Sequence, residues 1–205
     1  MLQRNELKFN LSNNDLLFFK KKFTLFKTFP ERKIFSIYFD TFNFNDFNDS
    51  EEGSVPRKKI RLRYYDVSSK DFNKTSILDG NLEIKKTFDS HRSKQKIAIK
   101  DNLLNSIRIA CNYGVTRRLP VCAISYTRNY YKYIDGTRLT VDKNIKYFPI
   151  KDSLPTKYSF IENNCIIEMK IENISCNKSL HSDYLDTFRI RFSKYCEAIK
   201  KINYL

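Results

Sequence analysis

The sequence predicts an α+β protein in which about eight antiparallel strands close into a barrel and helices pack on its outside. Three observations carry that expectation. First, five short segments, residues 4–8, 59–63, 82–85, 138–142 and 168–172, place charged residues two apart with apolar or small residues between them. In a strand that spacing sends the charges to one face and the apolar residues to the other. Second, helical periodicity occurs at intervals rather than after every strand, which argues against a doubly wound parallel sheet. Third, the charged face is mostly Arg and Lys with a few recurring Glu, so a closed sheet would enclose a wet, cationic lumen suited to a polyanion.

The elements follow in order. Residues 4–8 open the first strand. Ser12 or Asn13 then caps a helix over residues 15 to about 29, with Leu16, Phe19, Phe23 and Phe26 at helical spacing and Pro30 as its stop. That helix is expected on the outside of the sheet. Residues 33–41 are rich in β-formers, and the polar, turn-prone residues 43–56 read as a mobile loop. Residues 59–67 and 81–88 suit an antiparallel pair across the polar stretch 68–80. Asp101 or Asn102 opens a second helix carrying Leu103, Leu104, Ile107 and Cys111, and Gly114 sits where it ends. Residues 121–134, 138–142 and 165–171 are strand-like, and residues 192 to about 202 return to helical spacing. There is no internal repeat, Gly/Ser linker or low-complexity tail, so residues 1–205 read as a single domain.

Charge narrows the partner. Lys and Arg number 38 against 23 Asp and Glu, a formal net charge of +15, so an anion would relieve the chain's self-repulsion. Nucleic acid, an anionic membrane and phosphate compounds all satisfy that. The five cysteines, Cys111, Cys122, Cys165, Cys176 and Cys196, form no C-x-x-C pair and are expected as reduced thiols of a cytoplasmic protein. No apolar stretch approaches the roughly 20 residues of a membrane span, and the first residues do not resemble a secretory signal.

Several chemistries are excluded by pattern. The glycines at 53, 80, 114 and 136 are isolated and nothing resembles G-x-x-x-x-G-K, which removes a P-loop enzyme. His91 and His181 have no partner at ligand spacing and are expected to be exposed or structural. The cysteine spacing does not suit zinc, and no Ser-His-Asp signature is present. Tyr64, Tyr65, Tyr130, Tyr131 and Tyr133 have rings that can stack on bases. Strand tyrosines more often pack, however, and nucleic acid is not the expected partner.

The cationic positions make chemical sense as phosphate ligands. Guanidinium forks bind phosphate oxygens in pairs, whereas ammonium groups on flexible stems act as movable point charges. On that basis Arg61, Arg63, Arg128 and Arg138 grip, while Lys8, Lys85 and Lys194 neutralise. Glu6, Glu83 and Glu168 either hold a lysine or bind a divalent ion that bridges phosphate oxygens. Taken singly, each motif has a plainer explanation: a solvated face, a cross-strand ion pair worth about 0.2–1 kcal/mol, or a helix cap.

Eight motifs in order resemble the VTC domain of the triphosphate tunnel metalloenzyme superfamily. They are Arg4-x-Glu6-x-Lys8, Ser36-Ile-Tyr-Phe-Asp-Thr41, Lys59-Ile-Arg61-Leu-Arg63-Tyr64-Tyr65 and Leu82-Glu83-Ile-Lys85, followed by Ser125-Tyr126-Thr-Arg128, Arg138-Leu-Thr-Val-Asp142, Ile167-Glu168-Met-Lys170 and Arg191-Phe-Ser193-Lys194-Tyr195. The resemblance implies a closed antiparallel tunnel that binds ATP, tripolyphosphate or polyphosphate, with manganese or magnesium as cofactor. It implies a polyphosphate polymerase that adds the γ-phosphate of ATP to a growing chain. Lys8, Arg61, Arg63, Lys85, Arg128, Arg138 and Lys194 would be the catalytic wall, and Lys59, Tyr126, Lys170 and Ser193 would bind substrate. Glu168, with Glu6, would hold the metal. Two alternatives stand beside the polymerase: a hydrolase of tripolyphosphate or nucleoside triphosphate, with water as acceptor, and a non-catalytic polyphosphate-binding module. The broader superfamily opens with Glu-x-Glu-x-Lys, and Arg4 occupies the first acidic position here, which argues against a two-glutamate metal site formed by that motif.

Overall fold

Strand alternation sets the architecture: in each sheet segment the apolar residues point to one side and gather a helix, leaving the charged residues on the other side. The computed structural model describes residues 5–67, 77–89, 91–171 and 186–203. Arg4, Glu172, Cys176, His181 and most of the 68–80 stretch lie outside the described residues. The elements run β1 (Asn5–Leu11), α1 (Asn13–Lys22), β2 (Leu25–Asp40), α2 (Asn45–Glu52), β3 (Arg57–Tyr65), β4 (Ile77–Thr87) and β5 (Arg92–Asn102). They continue with α3 (Leu103–Cys111), β6 (Leu119–Tyr133), β7 (Arg138–Lys151), β8 (Leu154–Pro155), β9 (Phe160–Ile161), β10 (Cys165–Ile171) and α4 (Lys194–Asn203).

The chain is α+β with a mainly antiparallel sheet in the order β1-β10-β7-β6-β2-β3-β4-β5, and β8 and β9 also pair with β7. Among the described residues this ladder has two ends, β1 and β5, and no hydrogen-bonded pairing joins them. Closure of the barrel is therefore not part of the observed ladder. The chain gathers into two compact units. One comprises residues 1–32, 126–145 and 161–192; the other comprises 33–125, 146–160 and 193–205.

In the first unit, Leu7, Phe9 and Leu11 of β1, Leu139 and Val141 of β7, and Cys165, Ile167, Met169 and Ile171 of β10 form one buried cluster with Leu16, Phe19 and Phe23. Ser12 caps α1 by accepting from the Asp15 N–H, while the Asp15 carboxylate accepts from the Ser12 N–H, a capping box. The helix is shorter than its periodicity suggests. It ends at Lys22, and Leu25, Phe26, Phe29 and Pro30 belong to the sixteen-residue strand β2. The aromatic and threonine-containing run after Phe23 is as good a strand former as a helix former, and Phe26 and Phe29 stay largely exposed.

In the second unit, Phe35, Ile37 and Phe39 of β2, Ile60, Leu62 and Tyr64 of β3, Leu82 and Ile84 of β4 and Ile99 of β5 pack on Leu103, Ile107 and Ala110 of α3. Asn102 caps α3 by accepting from the Asn105 N–H. Two elements depart from the sequence reading. Residues 45–52 form α2 rather than a loop, although their Asn, Asp and Ser content favours turns. The cap comes from another element: Asp40, the last residue of β2, accepts the N–H groups of Thr41, Asp46 and Phe47. Gly53 in left-handed conformation closes the helix, with φ of 83°. β5, an edge strand with lysines at 94, 96 and 100, has no counterpart in the sequence reading.

Gly80 of β4 faces Tyr64 of β3 in register, and a Cβ there would stand 2.5 Å from Tyr64 Cε1 and 2.8 Å from Cδ1. The ring is fully buried and has little room to yield. Gly80→Ala is expected to destabilise by about 1–3 kcal/mol through overpacking, read as a lower urea midpoint with an unchanged m-value. An unaltered midpoint would mean that the ring moves freely.

Candidate functional site

The polar sides of the two units carry the sequence-predicted residues, and each side is described by itself. In the second unit, pairing places Ser36 opposite Arg63, Tyr38 opposite Arg61, Arg61 opposite Glu83 and Lys59 opposite Lys85. Glu83 in turn faces Lys96, and Lys85 faces Lys94. Period-two alternation and register together bring Lys59, Arg61, Arg63, Glu83 and Lys85 onto one face.

Glu83 is the centre of that face, with its side chain 1% exposed. Arg61 binds one carboxylate oxygen through Nε at 2.9 Å and Nη2 at 2.6 Å. Lys94 binds the other oxygen, Oε1, at 2.7 Å, and Arg63 Nη1 stands 3.7 Å from Oε2, the oxygen that Arg61 holds. Burial alone would raise the acid's pKa, but the guanidinium groups of Arg61 and Arg63 and the Lys94 bond outweigh it. They hold it at about 2, against the ordinary 4.5. Arg61 also donates to the Tyr38 hydroxyl at 2.9 Å, and Arg63 Nε donates to Ser36 Oγ at 3.2 Å.

Tyr38 reports the sign of the field. Burial would push its phenol up, yet the positive charges of Arg61, Arg63 and Lys194 bring it below the ordinary 10.0. Lys194 is buried at the start of α4, next to Ser193, whose hydroxyl accepts from Lys59 Nζ at 3.0 Å. The following residue, Tyr195, stacks on Tyr38 with centroids 5.2 Å apart and planes 13° apart, and its hydroxyl donates to Asp40. The cations acting on Tyr38 are Arg61, Arg63 and Lys194, while the nearby Asp40 is taken up by α2 and Tyr195.

The first unit has a different balance. β1 and β10 pair Glu6 with Lys170 and Lys8 with Glu168, and β10 and β7 pair Glu168 with Thr140 and Lys170 with Arg138. Arg128 of β6 forms a two-pronged bridge to the buried Asp142, Nε to Oδ1 at 2.6 Å and Nη2 to Oδ2 at 2.7 Å. It also reaches Glu168 Oε2 at 3.4 Å, and its guanidinium lies 5.4 Å from the Tyr126 ring centre. Burial would lower the Arg128 pKa, but Asp142 first and then Tyr126 and Glu168 raise it well above its usual value.

Lys8 holds the two acids expected to bind metal. Its Nζ is 3.4 Å from Glu6 Oε1, 3.9 Å from Glu168 Oε1 and 2.9 Å from the Phe192 carbonyl oxygen. A cavity of about 560 Å³ opens beside Glu6 and Lys8, with Asp186, Arg189 and Arg191 on its wall. Arg138 and Lys170 lie toward solvent on the same strands. Among the described residues no three His, Cys, Asp or Glu side chains converge as a metal cage. Glu6 and Glu168 are a two-carboxylate set around one ammonium.

Thus the structure gathers Lys59, Arg61, Arg63, Lys85, Ser193 and Lys194 in one unit and Glu6, Lys8, Tyr126, Arg128, Arg138, Glu168 and Lys170 in the other. Sequence reasoning gave no role to Tyr38, Asp40, Asp142 or Tyr195, although each lies within a quoted motif, and it did not name Lys94. The period-two spacing offered a signal for Tyr38 beside Ser36, and for Asp142 beside Arg138. Lys94 sits on β5, which the sequence did not reveal. Tyr64 is buried in the apolar core, and the exposed His91 stacks on Phe88 with ring centres 4.7 Å apart. Cys111, Cys122, Cys165 and Cys196 are free thiols.

The model of the family described as the VTC domain matches residues 3–118 and 112–203. Among curated proteins nothing matches the chain. A solved structure of a proposed adenylate cyclase from Vibrio parahaemolyticus is 14% identical, with 96% of this chain and 97% of that one covered at a TM-score of 0.52. The PH1819 protein of Pyrococcus horikoshii OT3 is 14% identical over 98% and 87% of the two chains, with a TM-score of 0.48. The inorganic triphosphatase NE1496 is 12% identical over 97% and 96%, with a TM-score of 0.40. The likeness to the Vibrio protein shows a shared fold.

Glu83 has a depressed folded-state pKa. Its contribution to stability is therefore complete above the ordinary 4.5 and is lost as the pH falls through about 2. Glu83→Gln leaves Arg61, Arg63 and Lys94 without their shared counter-charge and is expected to cost about 3–5 kcal/mol at neutral pH. Chemical denaturation across pH 2–7 checks both: the wild-type and variant curves should converge toward pH 2. Curves that stay parallel would show that the carboxylate is not stabilised in the fold.

Proposed function

Because the chain belongs to the VTC domain family, we propose that it is a metal-dependent polyphosphate polymerase, transferring the γ-phosphate of ATP to the end of a growing polyphosphate chain. The observation that carries this reading is the cationic face around Glu83. One carboxylate there serves two guanidinium groups and an ammonium, and the residual positive field is strong enough to outweigh burial at Tyr38. Such a face lowers the cost of bringing phosphate anions together. The reading takes residues 1–205 as one domain whose sheet closes as a tunnel, with a cytoplasmic setting that the free thiols suit.

Phosphoryl transfer asks mainly for positioning and charge neutralisation. A terminal oxygen of the polyphosphate chain attacks the γ-phosphorus of ATP, the bond to the β-phosphate oxygen breaks, and ADP leaves with that electron pair. Arg61 and Arg63 present fixed forks to the phosphate oxygens because Glu83, Tyr38 and Ser36 hold them. Lys59, Lys85 and Lys194 neutralise charge as point cations, and Ser193 offers a hydroxyl held by Lys59. Arg128 is oriented by Asp142, with Tyr126 beneath it. Arg138 and Lys170 present further cations toward solvent in the first unit.

The donor set fits a hard divalent cation, manganese or magnesium. Glu6 and Glu168 supply carboxylate oxygens, and such ions commonly keep water and phosphate oxygens as their remaining ligands. When bound, the cation supplies neutralisation of phosphate oxygens. Lys8, which lies between those two acids, would be released toward the substrate.

A single time course with ATP and manganese, following ADP, orthophosphate and acid-stable polymer, tests the proposal. ADP with polymer is expected. ADP with orthophosphate and no polymer would make water the acceptor and the protein a hydrolase, and no turnover with tight tripolyphosphate binding would leave a binding module. Glu168→Gln is expected to lose metal-dependent turnover while keeping the wild-type circular dichroism spectrum; full activity in that variant would remove Glu168 from the metal role.

A further inference from the structure

The same β3–β4 hairpin carries a second basic feature on its opposite side. Alternation that sends Lys59 and Lys85 to the Glu83 face sends Lys58 and Lys86 to the other, where they stand directly opposite each other in register. Like charges placed opposite across a ladder repel. Neither lysine makes an ion pair or a side-chain hydrogen bond with another described residue.

A groove of about 370 Å³ lies against this pair, walled by α2, the ends of β3 and β4, and Thr116 and Arg118. Arg118 and Asp46 form its buried side, each side chain 3% exposed, with Nε 3.1 Å from Oδ2. Arg57 stands at the rim, donating to the Gly53 and Ser54 carbonyl oxygens at 3.0 and 3.3 Å, which fixes its guanidinium at the end of α2. The groove's cations are Arg57, Lys58, Lys86 and Arg118, and its acids are Asp46 and Asp49. Arg118 is paired with Asp46, which also feels Lys58; Arg57, Lys58 and Lys86 then stand against one further acid, Asp49, and the groove keeps a positive excess. Thr41 and Asn45 add a hydroxyl and an amide, and Phe88 adds an aromatic ring.

We propose that this groove is a second anion site, distinct from the Glu83 face, that takes a small phosphate-bearing anion between Lys58 and Lys86. An anion there converts a repulsive cross-strand pair into two charge-assisted contacts. Two sources share that chemistry, a short inorganic phosphate chain and the phosphate tail of a nucleotide. They differ in whether a base uses Phe88.

The substitution Phe88→Trp in the full chain, which otherwise has no tryptophan, places a fluorescent reporter in the groove. Pyrophosphate is expected to change the indole emission saturably, and adding Lys58→Gln and Lys86→Gln is expected to weaken that response about tenfold or more. ADP binding more tightly than pyrophosphate would identify a nucleotide ligand, and equal or weaker ADP binding an inorganic one. In phosphate-free buffer, Lys58→Gln/Lys86→Gln should melt at the same or a higher temperature than wild type, because it removes two like charges that stand opposite each other across the ladder. No response of the reporter to millimolar pyrophosphate, unchanged affinity in the double variant, or a lower melting temperature without anion would each overturn the proposal.

Discussion

A single buried carboxylate, shared by three cations, is the constraint on which the polar side of the second unit depends. Glu83 cannot be buried without partners, because an unpaired ion in the interior is far more costly than a paired one. Its partners come from two neighbouring strands, Arg61 and Arg63 on β3 and Lys94 on β5, so the ion cluster fixes the register of three strands together. Three positive groups on one negative group leave a surplus, and a cationic face persists even where the residues are well buried. Stability and the positive surplus are thus two consequences of one arrangement.

Asp40 plays a comparable part at the end of β2. It receives backbone N–H groups from Thr41, Asp46 and Phe47 and the Tyr195 hydroxyl, and so ties α2 and α4 to the strand that carries Tyr38. Tyr195 lies flat on Tyr38, and Tyr38 accepts from Arg61. A continuous set of contacts therefore runs from a helix cap to the guanidinium groups. Ser193 and Lys194 are held at the face because the next residue in the chain is locked.

The first unit solves a different electrostatic problem. Arg128 is matched to Asp142 with two short bonds, which orients its planar fork and leaves it little freedom. Lys8 is shared between Glu6 and Glu168 at longer distances, and an ammonium on a flexible stem is easier to exchange for another cation. Glu168 meets both, since Arg128 reaches its second oxygen. Rigid positioning and replaceable charge are joined through that one acid.

Sequence by itself determined the strands' two-sidedness. Charge at every second residue marked the polar face in β1, β3, β4, β7 and β10, and β10 spans the same residues 165–171 that its pattern predicts. The ordered motifs were enough for a family resemblance because each one is local, a few residues of one strand or one helix start. What only tertiary structure decided was everything that depends on partners far along the chain. α2 forms because Asp40 caps it from another element, against the turn preference of its own residues. α1 stops at Lys22 because the chain after Phe23 joins a sheet. β5 exists as the edge partner of β4, and only there does Lys94 meet Glu83. Alternation says which side a charge occupies; only the register of neighbouring strands says which opposite charge it meets.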